Sequence, residues 1–140
     1  MSARRKRDKR IWCTDEEAKL FRDIQKRNKK KTSINDNVLI IGDLHEPFCL
    51  DGYLDHCIET YVKYECNRVV FIGDVIDNHY SSYHETDSNG MGGSDELEFA
   101  IQKLSKWYKA FPDADVTIGN HDRIIMRKAQ TSAIPSKWIK

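Results

Sequence analysis

Three short apolar runs, each followed by a glycine and then by polar residues, set the pattern of this chain. The runs are Val38–Ile41, Val69–Ile72 and a third within Asp115–Ile118. Continuous apolar runs of four or five residues are typical of strands that are covered on both faces, as in a parallel sheet. The pattern therefore predicts three parallel strands over these ranges, with the glycines allowing a sharp turn at each strand end.

The segments between and after these runs carry apolar residues at spacings of three and four, which indicates helices. We predict helices over about 52–64, about 95–111 and about 123–129, and Asp95 with Glu98 forms a predicted capping box for the second of them. Alternation of strands and helices predicts an α/β fold with βαβαβ order. Each helix would pack back on the sheet.

Side chains that bind metals or protons follow each predicted strand. Because the carboxyl ends of parallel strands gather along one edge of a sheet, residues that are distant in sequence should meet there. The residues concerned are Asp43, His45, Asp74, Asp77, Asn120, His121 and Asp122.

Three motifs in this order carry a resemblance to a known family. They are Asp-Leu-His at 43–45, Gly-Asp-Val-Ile-Asp at 73–77 and Gly-Asn-His-Asp at 119–122. Together they resemble the calcineurin-like metallophosphoesterase superfamily, and the Asp-Leu-His-Glu-Pro-Phe opening is most similar to its phage and prophage-borne members. The match runs from about residue 38 to about 127. It implies parallel strands that form half of a four-layer α/β/β/α sandwich, and a metal-dependent hydrolase of phosphomonoesters or phosphodiesters.

The resemblance also implies a metal site. Asp43 and His45 would bind the first divalent ion, Asp74 would bridge two ions, and Asn120 would bind the second. A mixed oxygen and imidazole donor set favours manganese, with iron and zinc as alternatives. The chain departs from the superfamily pattern because no histidine follows His121, whereas the superfamily supplies further histidine ligands there. Residues 34–140 are therefore expected to be the amino-terminal half of such an enzyme, completed by a longer gene product or another chain, and weak in catalysis alone.

Catalytic and substrate roles follow from the same resemblance. His121 would protonate the leaving oxygen or stabilise the phosphoryl group, and Asp77 would orient its imidazole. In the long loop after the second strand, Asn78, His79 and His84 are candidates for substrate contact. Ordinary surface histidines remain the alternative interpretation of His79 and His84.

Charge separates residues 1–33 from the rest of the chain. Residues 1–31 hold 13 Lys or Arg against 5 Asp or Glu, a net of +8, and the remainder holds 10 against 17, a net of −7. A basic segment, with a helix predicted over about 15–29, favours DNA or RNA as a partner, and a solvated basic tail without a target is the alternative. The candidate nucleic-acid contacts are Arg4, Arg5, Arg7, Arg10, Lys29, Lys30 and Lys31.

Composition narrows the setting and leaves several functions open. No apolar run reaches membrane-spanning length and no secretory signal precedes the domain, so a cytoplasmic location is expected, in the host if the gene is phage-borne. The four cysteines contain no Cys-x-x-Cys pair and are interpreted as reduced thiols.

A nucleic acid or nucleotide is the favoured phosphoester. A Ser/Thr protein phosphatase-like enzyme is an alternative, disfavoured because Asn78 replaces an arginine, and so is a non-catalytic binding module or inactive fragment.

Overall fold

Three parallel strands form the centre of the structure, a computed structural model that describes residues 15–30, 36–85 and 87–138. Four helices accompany them, and the fold is α/β, as the sequence predicts. Two single-turn 3-10 helices, His79–Ser81 and Ser136–Trp138, complete the described secondary structure. The strands and α-helices, in chain order, are α1 Asp15–Lys30, β1 Val38–Ile41, α2 Tyr53–Lys63, β2 Arg68–Phe71, α3 Gly93–Ala110, β3 Asp115–Val116 and α4 Ile124–Thr131.

The strand order is β1-β2-β3, with every pair parallel. Strands β1 and β2 pair over four residues, beginning with Val38 opposite Arg68, and β3 adds two residues, with Val116 opposite Phe71. Past Val116, the Thr117 amide still donates a hydrogen bond of 2.8 Å to the Phe71 carbonyl. The predicted βαβαβ order is confirmed, with a third strand shorter than expected. All three carboxyl ends therefore lie at one edge of the sheet.

The hydrophobic core lies on a single face of this sheet. Leu39 and Ile41 of β1 and Val69 and Phe71 of β2 point into it. Burying each large apolar side chain contributes about 1.5–3 kcal/mol, so this face accounts for much of the stability. The helical residues that cover it come from α1, α2 and α3 and include Phe21, Cys57, Ile58, Tyr61, Leu104, Trp107 and Ala110.

The opposite face of the sheet is exposed, which corrects the expectation of strands covered on both sides. Both βαβ crossovers place their helices, α2 and α3, on the same face, and α1 joins them there. Within the described ranges the other face keeps apolar side chains in contact with solvent. They are Val38, Ile40 and Ile72.

Helix α3 begins two residues earlier than predicted, at Gly93, with Gly92 as its N-cap residue. No side chain caps it, so the predicted capping box of Asp95 and Glu98 is wrong. Gly93 lies against the loop that precedes α3. A Cβ atom on Gly93 would lie 2.6 Å from the Tyr80 ring, so the absent side chain lets that ring pack against the first turn of the helix.

Several expectations lie outside the described residues. Residues 1–14 and 31–35 are among them, as are the side chains of Lys29 and Lys30. The proposed nucleic-acid contacts therefore remain a prediction from the sequence. The helix predicted over about 15–29 is confirmed as α1. Among the described helices, none combines the length and apolar character needed to cross a membrane.

Candidate metal centre

The loops that leave the three strands are joined by main-chain contacts. The His45 amide donates to the Asp74 carbonyl at 2.9 Å, which ties the first loop to the second. The second and third loops touch at two glycines, because a Cβ atom on Gly73 would lie 2.5 Å from the Gly119 Cα and a Cβ atom on Gly119 would lie 2.3 Å from the Asp74 nitrogen. Only glycine permits this approach. The backbones of the three motifs are thus drawn together at one point.

Asp122 fastens the second loop to the third. Its Oδ2 accepts hydrogen bonds from the amides of Asp74 at 2.9 Å and Gly119 at 2.8 Å. Its Oδ1 accepts from the amides of Val75 at 3.1 Å and Ile76 at 3.3 Å. From the sequence we predicted that Asp122 lies at this edge, but we predicted no role for it. A carboxylate immediately after a strand-end turn was the available signal, since Asp favours bonds to nearby amides.

Four polar residues of the site adopt a left-handed backbone conformation. The φ angles are +52° at Asp43, +46° at His45, +51° at Asp74 and +53° at Asn78. This region costs a residue with a Cβ atom about 1–2 kcal/mol, although Asp, Asn and His tolerate it best. Such conformations persist where surrounding contacts enforce them, and they concentrate at functional sites.

Asp77 sets the protonation pattern of two histidines. Its carboxylate Oδ1 lies 2.7 Å from His45 Nδ1, and its main-chain carbonyl lies 2.6 Å from His121 Nδ1. Because both oxygens only accept, Nδ1 donates in each ring and Nε2 is left free as a ligand or proton acceptor. We expected the Asp77 carboxylate to orient His121. Instead the carboxylate holds His45 and lies 3.6 Å from His121 Nδ1. The Asp77 main-chain carbonyl holds His121.

The freed Nε2 of His45 faces a carboxylate. It lies 3.8 Å from Asp43 Oδ1, and the candidate ligand atoms of Asp43, His45 and Asp74 all lie within 4.8 Å of one another. Asp74 Oδ1 accepts the His121 amide at 2.7 Å, which leaves its second oxygen for a ligand. Two carboxylates and one carboxylate-buttressed imidazole fit a divalent transition metal.

A second group of the same kind, His45, Asp77 and His121, is also compact. The hydrogen bonds just described already account for its closeness. The two rings meet edge to face, with centroids 4.5 Å apart. In this group Asp77 orients the two rings, and the group adjoins the metal candidate of Asp43, His45 and Asp74.

The remaining predicted residues divide into those near the cluster and one that is remote. Asn120 is exposed in the same turn as His121. The side-chain amide of Asn78 donates to the main-chain carbonyl of His121 at 3.0 Å, so Asn78 supports that turn rather than facing a substrate. His79 lies at the margin, with its Nδ1 3.8 Å from Asp77 Oδ2. His84 is exposed and belongs to neither compact group among the described residues.

Two buried glutamates that were not among the predicted site residues form hydrogen bonds next to the site. Glu96 accepts the His79 amide at 2.7 Å and the Tyr80 amide at 2.9 Å, so it anchors the loop that follows the second motif. Glu46 accepts the Trp107 indole N–H at 2.9 Å. Helical periodicity gives no sign of either contact, because each joins residues that are distant in sequence and each has one partner outside an α-helix.

The described cysteines are not suited to metal binding here. Cys49, Cys57 and Cys66 are free thiols. Burial raises the pKa of Cys57 to about 11, and burial together with the nearby Glu46 raises the pKa of Cys49 to about 12. Since the thiolate is the ligand, these side chains are protonated and inert at neutral pH.

Comparison of the chain with known protein families, with curated proteins and with solved structures finds no match. The functional assignment therefore depends on the residues and their geometry.

Proposed function

We propose that this chain is a metal-dependent phosphoester hydrolase of the calcineurin-like type. The observation that carries the proposal is the convergence of Asp43, His45 and Asp74 at one sheet edge, with His121 against His45. Carboxylate and imidazole donors beside a histidine with a free Nε2 are the parts that metal-assisted phosphoester hydrolysis needs.

The chain's own residues have separate tasks in this reaction. A divalent ion in such a site supplies a Lewis acid for the phosphoryl oxygens and makes a coordinated water more acidic. Asp43, His45 and Asp74 bind the ion, and Asp77 keeps His45 in the tautomer that can do so. His121, with its Nδ1 proton held by the Asp77 carbonyl, carries a proton at Nε2 to the leaving oxygen or stabilises the phosphoryl group.

The donor set provides one metal position with three ligands and a second with only two. Asp43, His45 and Asp74 supply three ligands to the first ion, whereas Asp74 and Asn120 alone supply the second. We therefore expect one tightly bound manganese and a second that binds weakly, with iron and zinc able to replace manganese.

The exposed sheet face supports the same assignment. A four-layer α/β/β/α sandwich packs a second sheet against the first, and Val38 and Ile40 of β1 and Ile72 after β2 lie exposed on the face opposite the core. Contiguous apolar surface of this kind is the surface that another layer covers. We propose that this face belongs to the interior of such a sandwich.

A nucleic acid or nucleotide is the proposed phosphoester. The arginine that follows the second motif in the Ser/Thr protein phosphatases is replaced by Asn78, whose amide is engaged with the His121 carbonyl. The basic residues 1–31 favour a polyanion at low salt. Removing residues 1–31 should weaken nucleic-acid binding and flatten its salt dependence, and unchanged binding would rule out that contribution.

The test of the proposal is manganese titration by calorimetry, with hydrolysis of a chromogenic phosphodiester assayed on the same samples. His45→Ala and Asp74→Asn should abolish tight binding and turnover. Asp77→Asn, which alters the support of His45, should weaken affinity roughly 10- to 100-fold. Asp115→Asn is the matched control, because Asp115 contacts Arg68 on the surface and should leave affinity unchanged.

Three results would decide the matter. Manganese binding that His45→Ala and Asp74→Asn remove, together with turnover, supports the hydrolase. Binding without turnover supports a metal-binding module. Failure of the wild-type chain to bind manganese, iron or zinc contradicts the proposal outright.

A further inference from the structure

A cavity of about 370 Å³ lies beside the candidate metal centre. Its volume falls within the range of small-molecule pockets, roughly 300–1,000 Å³. We call it the side slot. Its walls include Phe48, His79, Asp87, Asn89, Met91 and Glu96.

The side slot adjoins the residues that would act on a phosphoester. Phe48 lies three residues after His45 of the first motif, and its amide donates to the His45 carbonyl at 2.8 Å. His79 belongs to both places, because it lines the slot and its Nδ1 lies 3.8 Å from Asp77 Oδ2. The slot and the candidate metal centre are therefore neighbours through His79.

The loop that forms the slot is held at two points. Glu96, which is buried, accepts the amides of His79 and Tyr80 and ties the loop to α3. Lys128 of α4 donates to the Ser82 carbonyl at 2.9 Å and stands over the Tyr83 ring at 5.3 Å. These contacts hold the side of the slot formed by His79, which lowers the entropic cost of binding there.

The chemistry of the walls favours a flat aromatic ligand with polar edges. The Phe48 ring is 53% exposed and meets the His79 ring edge to face at 6.3 Å, so its surface is available for stacking. Met91 adds a polarizable apolar contact. Asn89 and Asp87 offer an amide and a carboxylate of the kind that pair with base edges.

We propose that the side slot binds the nucleobase of a nucleotide whose phosphate lies at the metal centre. This inference rests on the proposed function for the placement of the phosphate, but recognition of the base by Phe48 and its neighbours is a separate property. A base stacked on an aromatic side chain gains roughly 5- to 100-fold in affinity. The phosphoester substrate is then a nucleotide or the end of a nucleic acid, selected by its base.

The experiment uses the full chain loaded with diamagnetic zinc and three probes: adenosine 5′-monophosphate, ribose 5-phosphate and adenosine. The monophosphate should bind at least about 5-fold more tightly than ribose 5-phosphate. Both adenine compounds should shift the amide resonances of Asn89 and Met91. Phe48→Ala should bring the affinity for the monophosphate down to that for ribose 5-phosphate. Leu50→Ala is the matched control, because Leu50 is 79% exposed and lies outside the side slot.

The outcomes separate the two ideas. Equal affinity for the monophosphate and ribose 5-phosphate, with no shift at Met91 on adding adenosine, overturns the base slot and leaves the hydrolase proposal standing. Adenosine shifts that Phe48→Ala removes, in a chain that binds no metal, support the slot and contradict the hydrolase. A similar loss in Leu50→Ala would also overturn the slot, because the effect would not be specific to the stacking ring.

Discussion

The Asp122→Asn substitution tests whether one carboxylate holds the second and third loops of the metal centre together. The two carboxylate oxygens accept four main-chain N–H groups. Asparagine is nearly the same size but offers one acceptor oxygen, and its NH₂ group would face N–H donors. At least two of the four hydrogen bonds are lost, and their donors remain half-buried without a partner.

The expected loss of stability follows from those bonds. A hydrogen bond to a charged group contributes about 1.5–3 kcal/mol, so losing two costs roughly 3–6 kcal/mol. That is a large part of the 5–15 kcal/mol that stabilises a typical domain. For a domain of this size we expect the unfolding midpoint to fall by roughly 10–20 °C.

Chemical and thermal unfolding of the metal-free chain measure this effect. Asp43→Asn is the control, because the Asp43 side chain is 81% exposed and asparagine suits the left-handed backbone at that position. Asp43→Asn should lose metal affinity and keep its stability, whereas Asp122→Asn should lose stability even without metal. A change below about 1 kcal/mol in Asp122→Asn, or equal losses in both variants, would refute the reasoning.

Three further predictions concern packing and pH. Gly73→Ala and Gly119→Ala should each prevent folding at 37 °C, as circular dichroism would detect, because their Cβ atoms would lie 2.5 Å or less from the facing backbone. Ile41→Ala should cost about 2–5 kcal/mol in urea unfolding, and Ile40→Ala under about 1 kcal/mol, since Ile41 is 0% and Ile40 61% exposed. Burial raises the pKa of Cys57 from 9.0 to about 11, so the folded chain retains a proton that the unfolded chain releases. The resulting stability is complete below pH 9 and declines as pH rises, by roughly 2 kcal/mol at pH 11, and Cys57→Ala should show a smaller alkaline decline.

The arrangement of strands and helices was predictable because it depends on short-range pattern. Val38–Ile41 is a strand in both the prediction and the structure. Parallel pairing then requires the residues after β1, β2 and β3 to share an edge, so the meeting of His45, Asp77 and His121 also followed from the sequence.

What the sequence could not supply was which polar atom meets which. Asp77 was expected to orient His121 by its carboxylate, yet the carboxylate meets His45 and the carbonyl meets His121. The two patterns differ in which Asp77 oxygen reaches His121 Nδ1: the carbonyl lies 2.6 Å away and the carboxylate Oδ1 3.6 Å. Periodicity carries no information at that scale. For the same reason, periodicity could not predict that Glu96 anchors the loop after the second motif.

The backbone geometry of the site bears on how it would bind a metal. Asp43, His45 and Asp74 have left-handed backbone conformations; the Gly73–Gly119 contact and the Asp122 bonds fix Asp74, and the His45 amide bonds the Asp74 carbonyl. Their candidate ligand atoms lie within 4.8 Å of one another, although like charges and strained backbone both oppose that arrangement. In the proposed function, backbone contacts hold these ligands together, and the ion would neutralise their charge. Asp74 and Asp122 also accept main-chain amides, as turn residues do, so the closeness of Asp43 to Asp74 is the feature that supports the proposed cation site.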